Sequence, residues 1–174
     1  YIEGFEEEIK NNLNKYGEYL EDGILSVHMI KIEDKYYCMD FSCEEFEKIV
    51  NLLGSVESVY NLYYETLIKA INSDLGKYKP KRIGHLNLVR KYNKKFPYDY
   101  SNNKKLKELV KLISDRGYEL DYNIAGLFKE DCGETYISGY LAELIKQYNI
   151  KLVLGSDSHS AKYIDKYEKL NEQI

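Results

Sequence analysis

The sequence has no surplus of positive charge, no long apolar run and very little histidine. Lys and Arg total 25 against 29 Asp and Glu, a formal net charge of −4. That argues against a nucleic-acid surface spread over the chain, while leaving room for a local phosphate pocket. No apolar stretch reaches the roughly 18–20 residues that cross a bilayer, so a soluble, cytoplasmic protein with no membrane partner is expected. Cysteine is scarce. Cys38, Cys43 and Cys132 are an odd set whose spacing fits no zinc motif, and free thiols in a reducing compartment are expected. Repeats, low-complexity tracts and flexible linkers are missing too, which leaves one domain over residues 1–174. The chain opens on Tyr1, with neither an initiator Met nor a signal-peptide pattern, and is expected to begin inside a larger protein.

What is present is globular in character, with 44% hydrophobic and 31% charged residues, inside the range of chains that bury a core. The nineteen tyrosines read as a compositional habit. Phe5, Ile9, Leu13, Tyr16 and Leu20 recur at helical spacing, behind acids that suit a helix start. Residues 24–30 (ILSVHMI) read as one short buried strand. Ser42 and Glu45 form a capping box for a helix from Cys43 to Leu53, with Gly54 as its stop. A longer helix carries Val56, Val59, Tyr60, Tyr63, Leu67 and Ile71 on one face. Strands are expected over 81–85, 118–123 and 151–155, with helices capped by Ser101 and Ser138 between them. Helices alternating with short strands give an α/β fold, built on a parallel sheet or barrel.

The three histidines, His28, His85 and His159, each fall at or just beyond the C-terminal end of a predicted strand. In parallel α/β folds the active site forms there, because the βα loops converge. The last strand is followed by Gly155-Ser156-Asp157-Ser158-His159. Asp157 and His159 are two apart on a turn and can point into one cavity, and a carboxylate beside an imidazole suits Zn, Mn or Fe.

Residues 152–159 (LVLGSDSH) resemble the last metal motif of the polymerase-and-histidinol-phosphatase (PHP) superfamily. Residues 83–92 (IGHLNLVRKY) resemble its G-H motif and residues 26–30 (SVHMI) its S-V-H segment. The loop over 125–138 (AGLFKEDCGETYIS) is similar to the corresponding stretch of the histidinol-phosphatase branch. The resemblance runs from residue 1 to about residue 164. It implies a distorted (βα)7 barrel, here incomplete at its N-terminus, with up to three divalent metals (Zn, Mn or Fe) at the C-terminal strand ends. By resemblance, His28, His85, Asp157 and His159 are metal ligands. The implied reaction is hydrolysis of L-histidinol phosphate to L-histidinol and phosphate, in histidine biosynthesis.

Such a centre needs no nucleophilic side chain, because bound metals activate water and clamp phosphoryl oxygens. Arg90 is the first candidate for the phosphate, since its fork matches phosphate oxygens, with a solvated ion pair as the alternative; Lys129 and Ser138 are the next. The sequence departs from the family in lacking the opening H-x-H motif and the metal-bridging Glu. Residues 1–5 resemble the family segment immediately C-terminal to that Glu, and Glu3 lies on the wrong side of the aligned segment to replace it. Asn87 stands where many members carry Asp, and Phe128 where many carry Arg. The expectation is therefore the C-terminal part of a PHP domain, reduced in activity or inactive as it stands. The alternatives are a PHP phosphoesterase acting on nucleotides or a polymerase-associated nuclease, a non-catalytic fragment or scaffold with exposed barrel edges or a homodimer that covers them, and a metal-binding module.

Overall fold

The computed structural model describes residues 1–161, and the end of the family resemblance near residue 164 lies outside the described residues. Helix α1 (Glu6–Tyr16) opens on Glu6, Glu7 and Glu8 and runs into a 3-10 turn at Gly17–Tyr19. Its Ile9 and Leu13 pack half-buried against the core.

The single strand expected over 24–30 is corrected by the structure. It divides into β1 (Ile24–Leu25) and β2 (Met29–Ile32), and only β1 joins the main sheet. β2 turns away and pairs antiparallel with β3 (Lys35–Cys38), Met29 opposite Cys38 and Ile32 opposite Lys35. The unbroken apolar run conceals a change of direction between the two, since side-chain polarity records burial and not the path of the backbone.

Helix α2 (Cys43–Leu53) begins and ends where expected. The Ser42 hydroxyl accepts from the Glu45 amide at 3.1 Å, and Gly54 closes the helix at φ 81°, a left-handed conformation that suits glycine. Helix α3 (Val56–Asn72) is capped by Ser55 and packs against α2 and later α4. Its Val59, Tyr60, Tyr63, Tyr64, Leu67 and Ala70 are fully buried. Several tyrosines are therefore core material: Tyr60, Tyr63, Tyr64 and Tyr136 are among the largest fully buried side chains. The Tyr64 hydroxyl donates to Asn87 Oδ1 at 2.7 Å, which satisfies a polar tip that burial would otherwise penalise.

Strand β4 (Arg82–Ile83) is next, then a 3-10 turn at Leu88–Tyr92 and helix α4 (Lys104–Asp115). The cap of α4 is Asn103, whose Oδ1 accepts from the Leu106 amide at 2.9 Å. Ser101, expected there, instead donates its hydroxyl to Asp99. Asn is as good a cap as Ser, so residue type could not separate the two positions. Strand β5 (Glu119–Asn123), a 3-10 turn at Ala125–Phe128, helix α5 (Gly139–Gln147) and strand β6 (Leu152–Gly155) complete the described chain.

The main sheet is parallel in the order β1-β4-β5-β6. Leu25, Ile83, Leu120 and Leu152 stand abreast across it. The first three are buried, while Leu152 on the edge strand is 41% exposed, and Leu154 and Ile24 are also open. Among the described residues the sheet stays open, with β1 and β6 at its edges. The fold is thus α/β with a parallel sheet. All three cysteines are free thiols. No helix among the described residues is long and apolar enough to cross a membrane.

Candidate metal and phosphate site

The C-terminal ends of the parallel strands share one rim of the sheet, and the loops that leave it carry the candidate side chains. His85 lies two residues past the end of β4. The Gly84 amide bonds to the Leu25 carbonyl at 3.0 Å and the Leu88 amide to the His85 carbonyl at 2.8 Å, so the turn is held from both sides. Its backbone sits at φ 26°, and Asp157, just past β6, sits at φ 52°. Non-glycine residues rarely adopt such angles, and they gather at functional sites.

His28 leaves β1 and stands against His85, with ring centroids 4.7 Å apart at 70°. The hairpin brings Asp40 beside it: the Met39 amide donates to the His28 carbonyl at 3.1 Å, and His28 Nδ1 lies 3.0 Å from Asp40 Oδ1. Burial works to raise the Asp40 carboxyl. The hydrogen bond from His28 and the charges of His28 and Lys91 prevail and hold it below its ordinary value. His85 is 5% exposed. Burial pushes its pKa down to about 4, helped by His28 and opposed by the carboxylates of Asp157 and Asp40. It is a neutral imidazole at pH 7, the form that donates a lone pair to a metal.

Between these loops, Asp121 of β5 projects a carboxylate that is 4% exposed. Burial raises its pKa, while the Asn123 amide, donating at 2.9 Å, favours the charged form. Gly155 on the neighbouring strand makes room for it. Tyr136 closes the floor, its ring 6.2 Å from that of His85.

His85 is thus within electrostatic reach of both His28 and Asp157. His159 lies toward the rim, its Nδ1 2.9 Å from the Asp157 carbonyl oxygen. Asp157 and His159 line a cavity of about 310 Å³ with Ala125, Phe128, Lys129 and Ser158. The donor set of imidazoles and carboxylate suits Zn, Mn or Fe. His85 Nδ1 is moreover buried with no hydrogen-bond partner among the described residues, a condition that a ligand or ion would relieve. Among the described residues no three His, Cys, Asp or Glu side chains converge closely enough to enclose an ion by themselves. The donor chemistry suits a metal, and His28 and His85 stand side by side.

The phosphate candidates separate. Lys129 is exposed on the cavity that holds Asp157 and His159. Arg90 belongs to a different cavity, of about 590 Å³, lined also by Asn93, Lys94, Tyr98 and Glu134. Its Nε donates to Glu134, its Nη1 reaches the Tyr98 carbonyl at 3.4 Å, and its guanidinium lies 4.5 Å from the centre of the Tyr100 ring. Tyr100 in turn donates to the Ser138 carbonyl at 2.8 Å. Ser138 starts α5 as expected, but its hydroxyl makes no capping bond and is buried without a partner among the described residues. Glu3 is paired with Lys69 at 3.0 Å.

Sequence reasoning overlooked Asp40 and Asp121. Asp121 had a signal, a carboxylate in the middle of a strand expected to lie in a parallel sheet. Asp40 had none, because its place beside His28 depends on the hairpin.

No family model matches the chain. Its sequence is 43% identical over 165 residues to the histidinol-phosphatase of Bacillus subtilis (strain 168), covering 92% of this chain and 61% of that protein. The chain is a homologue of histidinol-phosphatase. It also superposes on the crystal structure of a Listeria monocytogenes protein assigned as histidinol phosphatase HisK. The TM-score is 0.90 at 36% identity, over 98% of this chain and 65% of that one. The chain therefore spans about three fifths of the length of its histidinol-phosphatase relative, and the shared part includes the β4, β5 and β6 strand ends and the loops after them.

Proposed function

We propose that this chain carries the metal-binding strand ends of a phosphomonoesterase that hydrolyses L-histidinol phosphate, within a distorted (βα)7 barrel. The observation that carries the reading is the gathering of His28, His85 and Asp157 at one rim of a parallel sheet, in a chain 43% identical to a histidinol-phosphatase.

His28, His85, Asp157 and His159 are the residues that would hold divalent metal, Zn, Mn or Fe. Bound metal would supply an activated water at neutral pH and a clamp on the phosphoryl oxygens. The chain's own residues do the rest. His85, kept neutral by burial, offers a lone pair without first losing a proton. Asp157 counters positive charge at the site, and Lys129 at the mouth of the same cavity attracts the phosphate. Arg90, fixed to Glu134, orders the wall of the neighbouring cavity.

The test is phosphate release from L-histidinol phosphate, with Mn²⁺ or Zn²⁺ supplied, against release from mononucleotides. Preference for L-histidinol phosphate is expected. Lys129→Ala should raise KM about tenfold with little change in kcat, as loss of one exposed charge contact at the mouth, worth about 1.4 kcal/mol, would do. Faster turnover of nucleotides would move the reading to a nucleotide phosphoesterase of the same superfamily. Release from neither, with no metal bound, would make the chain a scaffold.

A further inference from the structure

We propose that Asp40 is a positioning residue for His28: it takes the imidazole Nδ1–H and leaves Nε2 as the free donor beside His85. The proposal rests on the reading of His28 as a metal ligand.

The His28 side chain is 46% exposed, too open for packing alone to fix its rotation. One polar contact does so, the 3.0 Å bond between Nδ1 and Asp40 Oδ1. An ionised carboxylate only accepts, so Nδ1 carries the proton and the lone pair of the neutral ring lies on Nε2. The ring's other described contact is edge-to-face with His85. The two together leave the imidazole one orientation and one tautomer.

Asp40 is itself held firmly. Its side chain is 17% exposed. The Cys38 thiol donates to Oδ1 at 3.5 Å, and Lys91 Nζ lies 3.7 Å from Oδ2. The Asp40 backbone carbonyl accepts from Lys91 Nζ and, at 3.2 Å, from the Tyr92 hydroxyl. Lys91 and Tyr92 belong to the 3-10 turn just after His85. Asp40 therefore links the loop bearing His28 to the loop bearing His85: its backbone carbonyl holds the turn after His85, and its carboxylate holds the His28 ring. A carboxylate behind a ligating histidine fixes its tautomer and raises its donor strength, and losing such a partner typically costs about 10–100-fold in metal affinity.

The bonds to the Asp40 carbonyl do not use its side chain, so Asp40→Ala and Asp40→Asn keep the loop anchored. Asp40→Asn retains an acceptor oxygen and separates geometry from charge. The experiment titrates Co²⁺ into wild type, both Asp40 variants and His28→Ala, followed by visible absorbance. In parallel, ¹⁵N-histidine NMR of the metal-free proteins reads the His28 tautomer. Wild type should show the Nδ1–H form. Asp40→Ala should lose that preference and raise the Co²⁺ Kd about 10–100-fold, with a smaller rise for Asp40→Asn. If Asp40→Ala binds Co²⁺ like wild type while His28→Ala binds it weakly, Asp40 has no positioning role and the ligand reading stands. If wild type takes up no Co²⁺, or His28→Ala binds it as tightly as wild type, the ligand reading falls and the proposal with it.

Discussion

Gly155→Ala is expected to lower the stability of the fold by about 2–4 kcal/mol, the range for overpacking combined with loss of a buried hydrogen bond. A Cβ at this position would lie 1.8 Å from Asp121 Oδ1 and 2.7 Å from its Cγ, well inside van der Waals contact. The clash cannot be relieved by a small rotation. The Asp121 carboxylate is buried and held by the Asn123 amide. Residues 121 and 155 also belong to strands in tight register, with Asn123 opposite Gly155. Either Asp121 gives up its hydrogen bond in a buried setting or β6 moves away from β5. The second outcome displaces Asp157 and His159, two and four residues further on, so affinity for metal should fall along with stability. Urea denaturation measures the first effect. A midpoint within error of wild type would show that the β5–β6 contact has room for a methyl group.

His85→Ala is expected to reduce the proposed turnover of L-histidinol phosphate by about 100-fold or more, since removing a proposed ligand should exceed the about 10–100-fold cost of removing a ligand's partner. His85 is the most buried of the three histidines, and its Nδ1 has no other described partner. Its backbone is held at an unusual φ, between the Gly84 bond to Leu25 and its own carbonyl's bond from Leu88. The substitution leaves those backbone bonds in place and lets alanine inherit a strained conformation with no chemistry to justify it. Circular dichroism should show the fold retained. The loss should appear in kcat, and added Mn²⁺ or Zn²⁺ should restore little of it. Full activity in the variant would remove His85 from the site and leave the 4.7 Å His28–His85 contact as packing.

Much of the fold was legible because short-range rules decided it. Ser42 and Gly54 bracket α2 through bonds that span three or four residues, and the apolar stripe of α3 comes from helical period alone. The gathering of the histidines at one rim was legible for a different reason, since a parallel sheet sends every strand's C-terminal end the same way. What escaped were features set by contacts distant in sequence. The break between β1 and β2 depends on pairing with β3, and Asp40 reaches His28 only through that hairpin. Arg90 was assigned to phosphate by its chemistry, whereas its partner Glu134 is 44 residues away and joins it only in the folded chain. Asn103 displaced Ser101 as the cap of α4 by two positions, within what residue type can resolve.

The central claim is that His28, His85, Asp157 and His159 together retain divalent metal, and metal content per chain tests it most directly. Elemental analysis of the purified chain, after exposure to Zn²⁺, Mn²⁺ or Fe²⁺ and removal of free ion, should find at least one metal per chain. His159→Ala should hold measurably less. A chain that carries no metal after this treatment, or a His159→Ala variant that carries as much as wild type, contradicts the account.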